Sequence, residues 1–309
     1  MSRIEASKAL YIKLGEGGKY EVNCIERDQT LRLGYEGAPH GLCLRGKWDD
    51  VAEDARRRWS EDPGAAKRHA NQIRLFYETG PDVLWITFYK GLLWWCFSER
   101  DVTLHSNATK TRPVIGGWRA DDIKGVPLQI SRLSGKLTML QAFRGTICEV
   151  HEREYLIRKI NGETSREVEI ATEAREELTS KLEPIVQNLH WKDFEVLVDL
   201  ILRQAGWRRT SELGGTKETL DLELESTVSD DRFGVQVKSQ ADLKDLKDYS
   251  ERVRGRDFHR SYFIVHSPQK GLMPHLGGAY ERVEVVGPEK LAEWSVRYGL
   301  VDWVLDKAG

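Results

Sequence analysis

Residues 191–240 read WKDFEVLVDLILRQAGWRRTSELGGTKETLDLELESTVSDDRFGVQVKSQ. Trp191, Phe194, Leu197, Val198, Ile201, Leu202 and Ala205 recur at helical spacing and Gly206 ends the run, which predicts an amphipathic helix with Glu195 beside its apolar stripe. A period-2 strand sends alternate side chains to opposite faces, so Leu220, Leu222 and Leu224 part from Asp221, Glu223 and Glu225. In the next strand Phe233, Val235 and Val237 point to a core while Gln236 and Lys238 share the other face. Paired as a hairpin, these strands bring a carboxylate, an amide oxygen and an ammonium to one place. That combination suits a divalent metal and a phosphate.

Downstream, residues 241–254 read as a helix with a basic end, residues 261–266 and 282–286 as short apolar strands, and residues 288–298 as a closing helix before LVDWVL. Strands flanked by helices imply an α/β domain with a central mixed sheet over residues 187–309. Upstream, residues 151–186 are charge-rich and poor in large apolar residues. They read as a helical linker, exposed over residues 172–182 and ended or bent at Pro184.

Residues 1–150 read as an aromatic-rich α+β domain. Strands are expected over residues 9–14 and 19–25 around a glycine turn, helices over 51–59 and 65–77, and Asp62 as a cap before Pro63. Residues 83–97 alternate as two strands about a Lys90-Gly91 turn. This half holds Trp48, Trp59, Trp85, Trp94, Trp95 and Trp118, six of the ten tryptophans. Trp94 and Trp95 are neighbours in a strand and must face opposite sides. Trp48, Trp85 and Trp94 are the candidates for a pocket that stacks a flat ligand such as an extruded base; core packing is the ordinary alternative.

The chain of 309 residues is 40% hydrophobic and 31% charged with a net charge of −2, so a polyanion partner requires a local basic patch. Arg56-Arg57-Arg58, Arg208-Arg209 and the run Arg252, Arg254, Arg256, His259, Arg260 are candidates, each equally readable as a solvated face. Cys24, Cys43, Cys96 and Cys148 have neither zinc-site spacing nor a disulfide framework. With no signal peptide and no membrane-spanning apolar run, the expectation is a reduced, cytoplasmic protein without a membrane partner.

In order and spacing, DFE (Asp193 to Glu195), GGTKETLDL (residues 214–222) and VQVKSQ (residues 235–240) resemble the Mrr-like branch of the PD-(D/E)xK nucleases, with their restriction-endonuclease-like fold. The resemblance implies that Asp221 binds metal and that Lys238 is the motif lysine. It puts Gln236 at the second acidic position, as in Mrr-like members, and makes Glu195 the helix carboxylate. It further implies Mg²⁺, with Mn²⁺ as a substitute, held by Asp221, Gln236 and Glu195. Gln236 gives an oxygen but no charge, so this site is poorer in negative charge than an Asp or Glu version. More weakly, residues 9–13 and 76–97 resemble the PUA-superfamily domains of the EVE and YTH kind, small β-barrel-like domains that hold a modified base in an aromatic cage.

These resemblances imply a type II or IV-like restriction endodeoxyribonuclease of bacterial defence, directed to modified double-stranded DNA by its N-terminal half. Cutting both strands needs two sites, hence a homodimer or a transient dimer on DNA. No GxxxxGK[ST] motif occurs, so no ATP hydrolysis by this chain is expected. Two rivals stand: an effector nuclease triggered by a small molecule or protein, and a non-catalytic DNA-binding protein on a nuclease fold.

Overall fold

The structure, a computed structural model, describes residues 2–210 and 219–309, with the backbone alone at residues 219–221. The chain is mixed α/β and divides into two compact units, Met1–Ser165 and Arg166–Gly309.

The first unit runs β1 (Lys8–Ile12), β2 (Thr30–Leu33), α1 (His40–Leu44), α2 (Trp48–Arg58), α3 (Pro63–Glu78), β3 (Val83–Tyr89), β4 (Leu92–Ser98), β5 (Thr103–Leu104), β6 (Lys110–Arg119), α4 (Gly135–Thr138), β7 (Ile147–Glu149) and α5 (Arg153–Ile160). Its curled half-barrel sheet has the order β2-β6-β4-β3-β1-β7, with β5 on β6. The path is open, with β2 and β7 at its ends, rather than a closed barrel. Strand β3 is apolar almost throughout because both its faces are covered. Val83 and Trp85 join the core under α2 and α3, while Leu84, Ile86 and Phe88 join the core under α4 and α5. Lys90 and Gly91 link β3 to β4 with φ of 47° and 74°, the paired positive φ of a two-residue hairpin turn. Asp62 caps α3 through its carboxylate, which accepts from the amides of Gly64 and Ala65.

Two expectations are corrected. Residues 19–25 are not a strand: Val22–Arg27 is a π-helix, with the Asp28 amide bonded to the Asn23 carbonyl at 2.7 Å. Adjacent Cys24 and Ile25 are both buried, which an alternating strand cannot achieve on one core face. Residues 151–186 are not a linker. Leu156 and Ile160, one helical turn apart, pin α5 into the first unit. The helix α6 (Arg166–Asn188) passes through Pro184 and buries Leu182 and Val186 in the second unit. These apolar residues are few but correctly spaced, and their burial outweighs the amide lost at proline.

The second unit continues with α7 (Trp191–Gln204), β8 (Trp207–Arg209), β9 (Thr219–Ser226), β10 (Arg232–Ala241), α8 (Leu243–Val253), β11 (Arg260–Pro268), β12 (Ala279–Tyr280), β13 (Val283–Val286), α9 (Pro288–Arg297) and α10 (Val301–Ala308). Its mixed sheet has the order β12-β13-β11-β10-β9-β8. Strands β8, β9 and β10 form an antiparallel meander, and α8 carries the chain across to β11, parallel to β10. One face packs on α6, α7, α9 and α10, and the other is covered by α8.

Candidate functional site

The β9–β10 hairpin closes through Ser226, whose hydroxyl accepts from the amides of Val228 and Ser229. Its register sets Asp221 opposite Gln236 and Thr219 opposite Lys238. Phe233, Val235 and Val237 enter the core beneath α7. Gly234, Gln236 and Lys238 therefore lie on the face that α8 covers. Asp242 and Asp245 form a reciprocal capping box at the start of α8. Asp245, Tyr249 and Arg252 follow at positions i, i+4 and i+7, so one side of the helix carries all three.

This geometry decides the partners. Lys238 Nζ lies 2.5 Å from Asp245 Oδ1, and the Arg252 guanidinium donates to Gln236 Oε1 at 3.0 Å. Gln236 is 1% exposed, and a buried amide needs such a donor. Burial pushes the Asp245 carboxyl upward, but hydrogen bonds from Lys238 and from the Asp242 amide outweigh it and hold the group below its usual range. Lys238 is thus kept paired and the Gln236 amide kept oriented.

Of the residues the sequence singles out, Gln236 and Lys238 share a face, with the Asp221 position across the ladder from Gln236. The Asp221 side chain and the Gly214-Gly215 pair of the GGTKETLDL stretch lie outside the described residues. Glu195 sits on α7, which packs on the other face of β10 from Gln236 and Lys238. Burial raises its carboxyl above the usual range, partly offset by Lys192. Glu223 and Glu225 are engaged elsewhere, with Arg232 and Arg256 and with Arg208. Asp245 belongs to the site but was not among the sequence candidates, and Arg252 was singled out only as part of a basic run. The D-x-x-D box just after the strand, followed by Arg seven residues on, is the signal that carries them.

No protein-family model matches this chain, and no curated protein matches it in sequence.

Mg²⁺ takes hard oxygen donors. Gln236 Oε1 and Asp245 offer two on this face, both already hydrogen-bonded. Among the described residues no three His, Cys, Asp or Glu side chains converge as a metal site, so a cation here depends on Asp221.

In the first unit Trp48, Trp85 and Trp94 do not form one cage. Trp85 is fully buried, edge-on to Phe76 with the Arg112 guanidinium 5.7 Å from its ring. Trp94 is half-buried, packs on Tyr89 and donates to the Tyr89 carbonyl. Trp95, its neighbour, is buried in the core of the opposite face, so the adjacent pair is divided between two cores. Trp48 alone lines a cleft, of about 220 Å³, with Cys43, Tyr77 and Arg100. Its indole donates to Glu78 at 2.6 Å. Two cations are buried nearby in the sequence of β6. Arg112 donates to the carbonyls of Glu99, Phe76 and Thr79, and burial lowers its pKa to about 10. Lys110 donates to the carbonyls of Tyr35 and Glu36, and burial lowers it to about 8.

Proposed function

We propose that the second unit is a DNA phosphodiesterase, a Mg²⁺-dependent endonuclease of restriction or defence type, and that the first unit directs it to DNA carrying modified bases. The observation that carries this reading is the register of the β9–β10 ladder. It sets Asp221 opposite Gln236, with Lys238 two residues on along the same face. The mixed sheet around that hairpin, with helices on both faces, supports the reading.

In this reading Asp221 and Gln236 would hold Mg²⁺, or Mn²⁺ in its place, which would supply Lewis-acid activation of the phosphate and of a water, while Glu195, on the helix over the other face of β10, stays outside the ligand set. Lys238 places an ammonium where charge develops on the phosphate. Asp245 aims that ammonium, and Arg252 fixes the Gln236 amide. Cleavage of both strands calls for two copies on DNA. Such an enzyme would act in the cytoplasm. Among the described residues no helix is long and apolar enough to cross a membrane.

A second reading has its own observation. Lys238 and Gln236 are both already occupied by α8, as suits a nuclease fold that binds DNA without cutting or one released by a trigger. The test is cleavage of matched plasmids, unmodified or carrying 5-methylcytosine, 5-hydroxymethylcytosine, its glucosylated form or N6-methyladenine, in Mg²⁺ and in Mn²⁺. Cutting of one modified substrate that is lost in Asp221→Ala and Lys238→Ala is the expected result. Cutting of all five removes the modified-base role. DNA binding with no cutting in any condition favours the second reading.

A further inference from the structure

Beyond the hairpin, an arginine-rich surface of the second unit lies past the C-terminal end of α8. A cleft of about 890 Å³ is lined by Arg254, Arg256, Phe258, His259, Arg260 and Arg282. A smaller hollow of about 210 Å³ shares Arg256 and Phe258 with it and adds Arg252. Arg252 is the residue that donates to Gln236, so the smaller hollow joins the candidate site to the larger cleft, with Glu223 and Glu281 as the carboxylates of the lining.

The local structure is built to present these cations. Gly234 lies beneath: a Cβ there would come within 2.9 Å of the Phe258 ring and 3.1 Å of the Tyr249 hydroxyl, so only glycine lets Phe258 seat against the strand. Phe258 in turn backs the guanidinium groups of Arg232 and Arg256, each 5.9 Å from its ring. On the opposite wall, Glu281 occupies the tight β12–β13 turn with φ of 53°, a conformation a non-glycine residue holds only when its surroundings enforce it. The enforcement is visible. Buried Ser250 donates to Glu281 at 2.8 Å, and Arg254 binds the same carboxylate at 2.9 and 3.0 Å. This lock carries Arg282, the next residue, at the rim.

Charges then sort into two kinds. Arg254 and Arg256 are neutralised by Glu281 and Glu223. Arg260 and Arg282 are exposed and have no carboxylate within ion-pair distance among the described residues. Guanidinium groups match phosphate oxygens in a fork geometry, and a row of them over two adjoining hollows suits a chain of phosphates better than a single anion.

We infer that this arginine track binds the sugar–phosphate backbone of duplex DNA, with Arg260 and Arg282 as its phosphate contacts and Arg252 as its junction with the candidate site. The inference rests on the proposed function for the identity of the polyanion, but not for any chemical step.

The test is binding of a short DNA duplex in EDTA, followed by fluorescence anisotropy across a salt series, so that no cleavage intervenes. Removing one arginine–phosphate pair should flatten the slope of log K against log salt by about 0.9, so Arg260→Ala/Arg282→Ala should flatten it by about 1.8. Arg203→Ala/Arg297→Ala, which removes the same charge from positions outside the cleft, should leave the slope unchanged. Thermal melting confirms that both double variants are folded. Equal flattening by both pairs, an unaltered slope in the cleft pair, no DNA binding by the wild type, or equal competition by inorganic pyrophosphate would each overturn the track. A wild type that binds with an Arg260- and Arg282-dependent slope yet leaves every plasmid intact keeps the track and removes the hydrolysis. A wild type that cuts while the cleft pair binds unchanged does the reverse.

Discussion

Lys238 Nζ and Asp245 Oδ1 are 2.5 Å apart, with the side chains 19% and 33% exposed, so the lysine of the Q-x-K triplet is held in a half-buried ion pair between a strand and the first turn of a helix. Lys238→Ala should lower the phosphodiester cleavage rate by about 10²-fold or more, the usual loss when one charge-stabilising donor is removed. Asp245→Asn keeps the ammonium and should lower the rate less, while costing about 1 kcal/mol through the capping box. Single-turnover cleavage and denaturant melts of the two variants measure this. A smaller loss in Lys238→Ala than in Asp245→Asn would sink the assignment. Because the Asp245 carboxyl is held below its usual range, its contribution is present at neutral pH and is lost only as pH falls through that depressed value.

Glu195 has the opposite sign. Burial raises its pKa, so over the interval from the ordinary carboxyl value up to the raised one the folded state holds more protons than the unfolded. Stability therefore falls as pH rises through that interval. Glu195→Gln should melt at a higher temperature than wild type at neutral pH, with the difference vanishing in acid. Because Glu195 lies across the sheet from Gln236 and Lys238, the same variant should keep cleavage while gaining stability, and lost cleavage would return it to the site. A variant that melts no higher at pH 7 contradicts the strain.

Lys110 is 1% exposed, and burial lowers its pKa from 10.5 to about 8. Between those two values the unfolded chain binds the extra proton, so this residue makes the protein more stable as pH rises from about 8 to about 10.5. Lys110→Met should lack that gain. The neighbouring Cys43 thiol, raised to about 11 by burial, works the other way. Because Lys110 itself lowers that thiol's pKa, both proteins are compared with Cys43→Ser in place, where the difference between their denaturant midpoints reports the lysine.

Trp85 and Trp48 should separate packing from recognition. Trp85→Ala removes a fully buried indole and should cost about 3–5 kcal/mol. Trp48 lines its cleft half-exposed, and Trp48→Ala should leave most of the stability. If the first unit reads a base there, the variant loses its preference for modified over unmodified duplex in a binding titration. Retained preference in Trp48→Ala removes that residue from the reader.

Much of this architecture follows from local periodicity. The alternation of Leu222 and Leu224, and of Phe233, Val235 and Val237, required a hairpin with one apolar face. Lys90-Gly91 required a tight turn, and Asp62-Pro63 a helix start. A side-chain period of two leaves little freedom, since a one-residue slip would turn every apolar group to the wrong face. Residues 19–25 misled because their apolar positions fit a strand period, while the adjacent burial of Cys24 and Ile25 came from packing.

By itself, then, the sequence determined the strand faces, the turn and helix starts, and the placement of Gln236 beside Lys238. Tertiary structure alone decided that α8 lies over them, so that Arg252 and Asp245 become their partners. It also decided that Trp85 and Trp94 serve a core, and that α6 continues through Pro184. The physical reason is range. Backbone periodicity is written within a few residues, whereas the partner of a buried polar group depends on which element, distant in the chain, closes over its face.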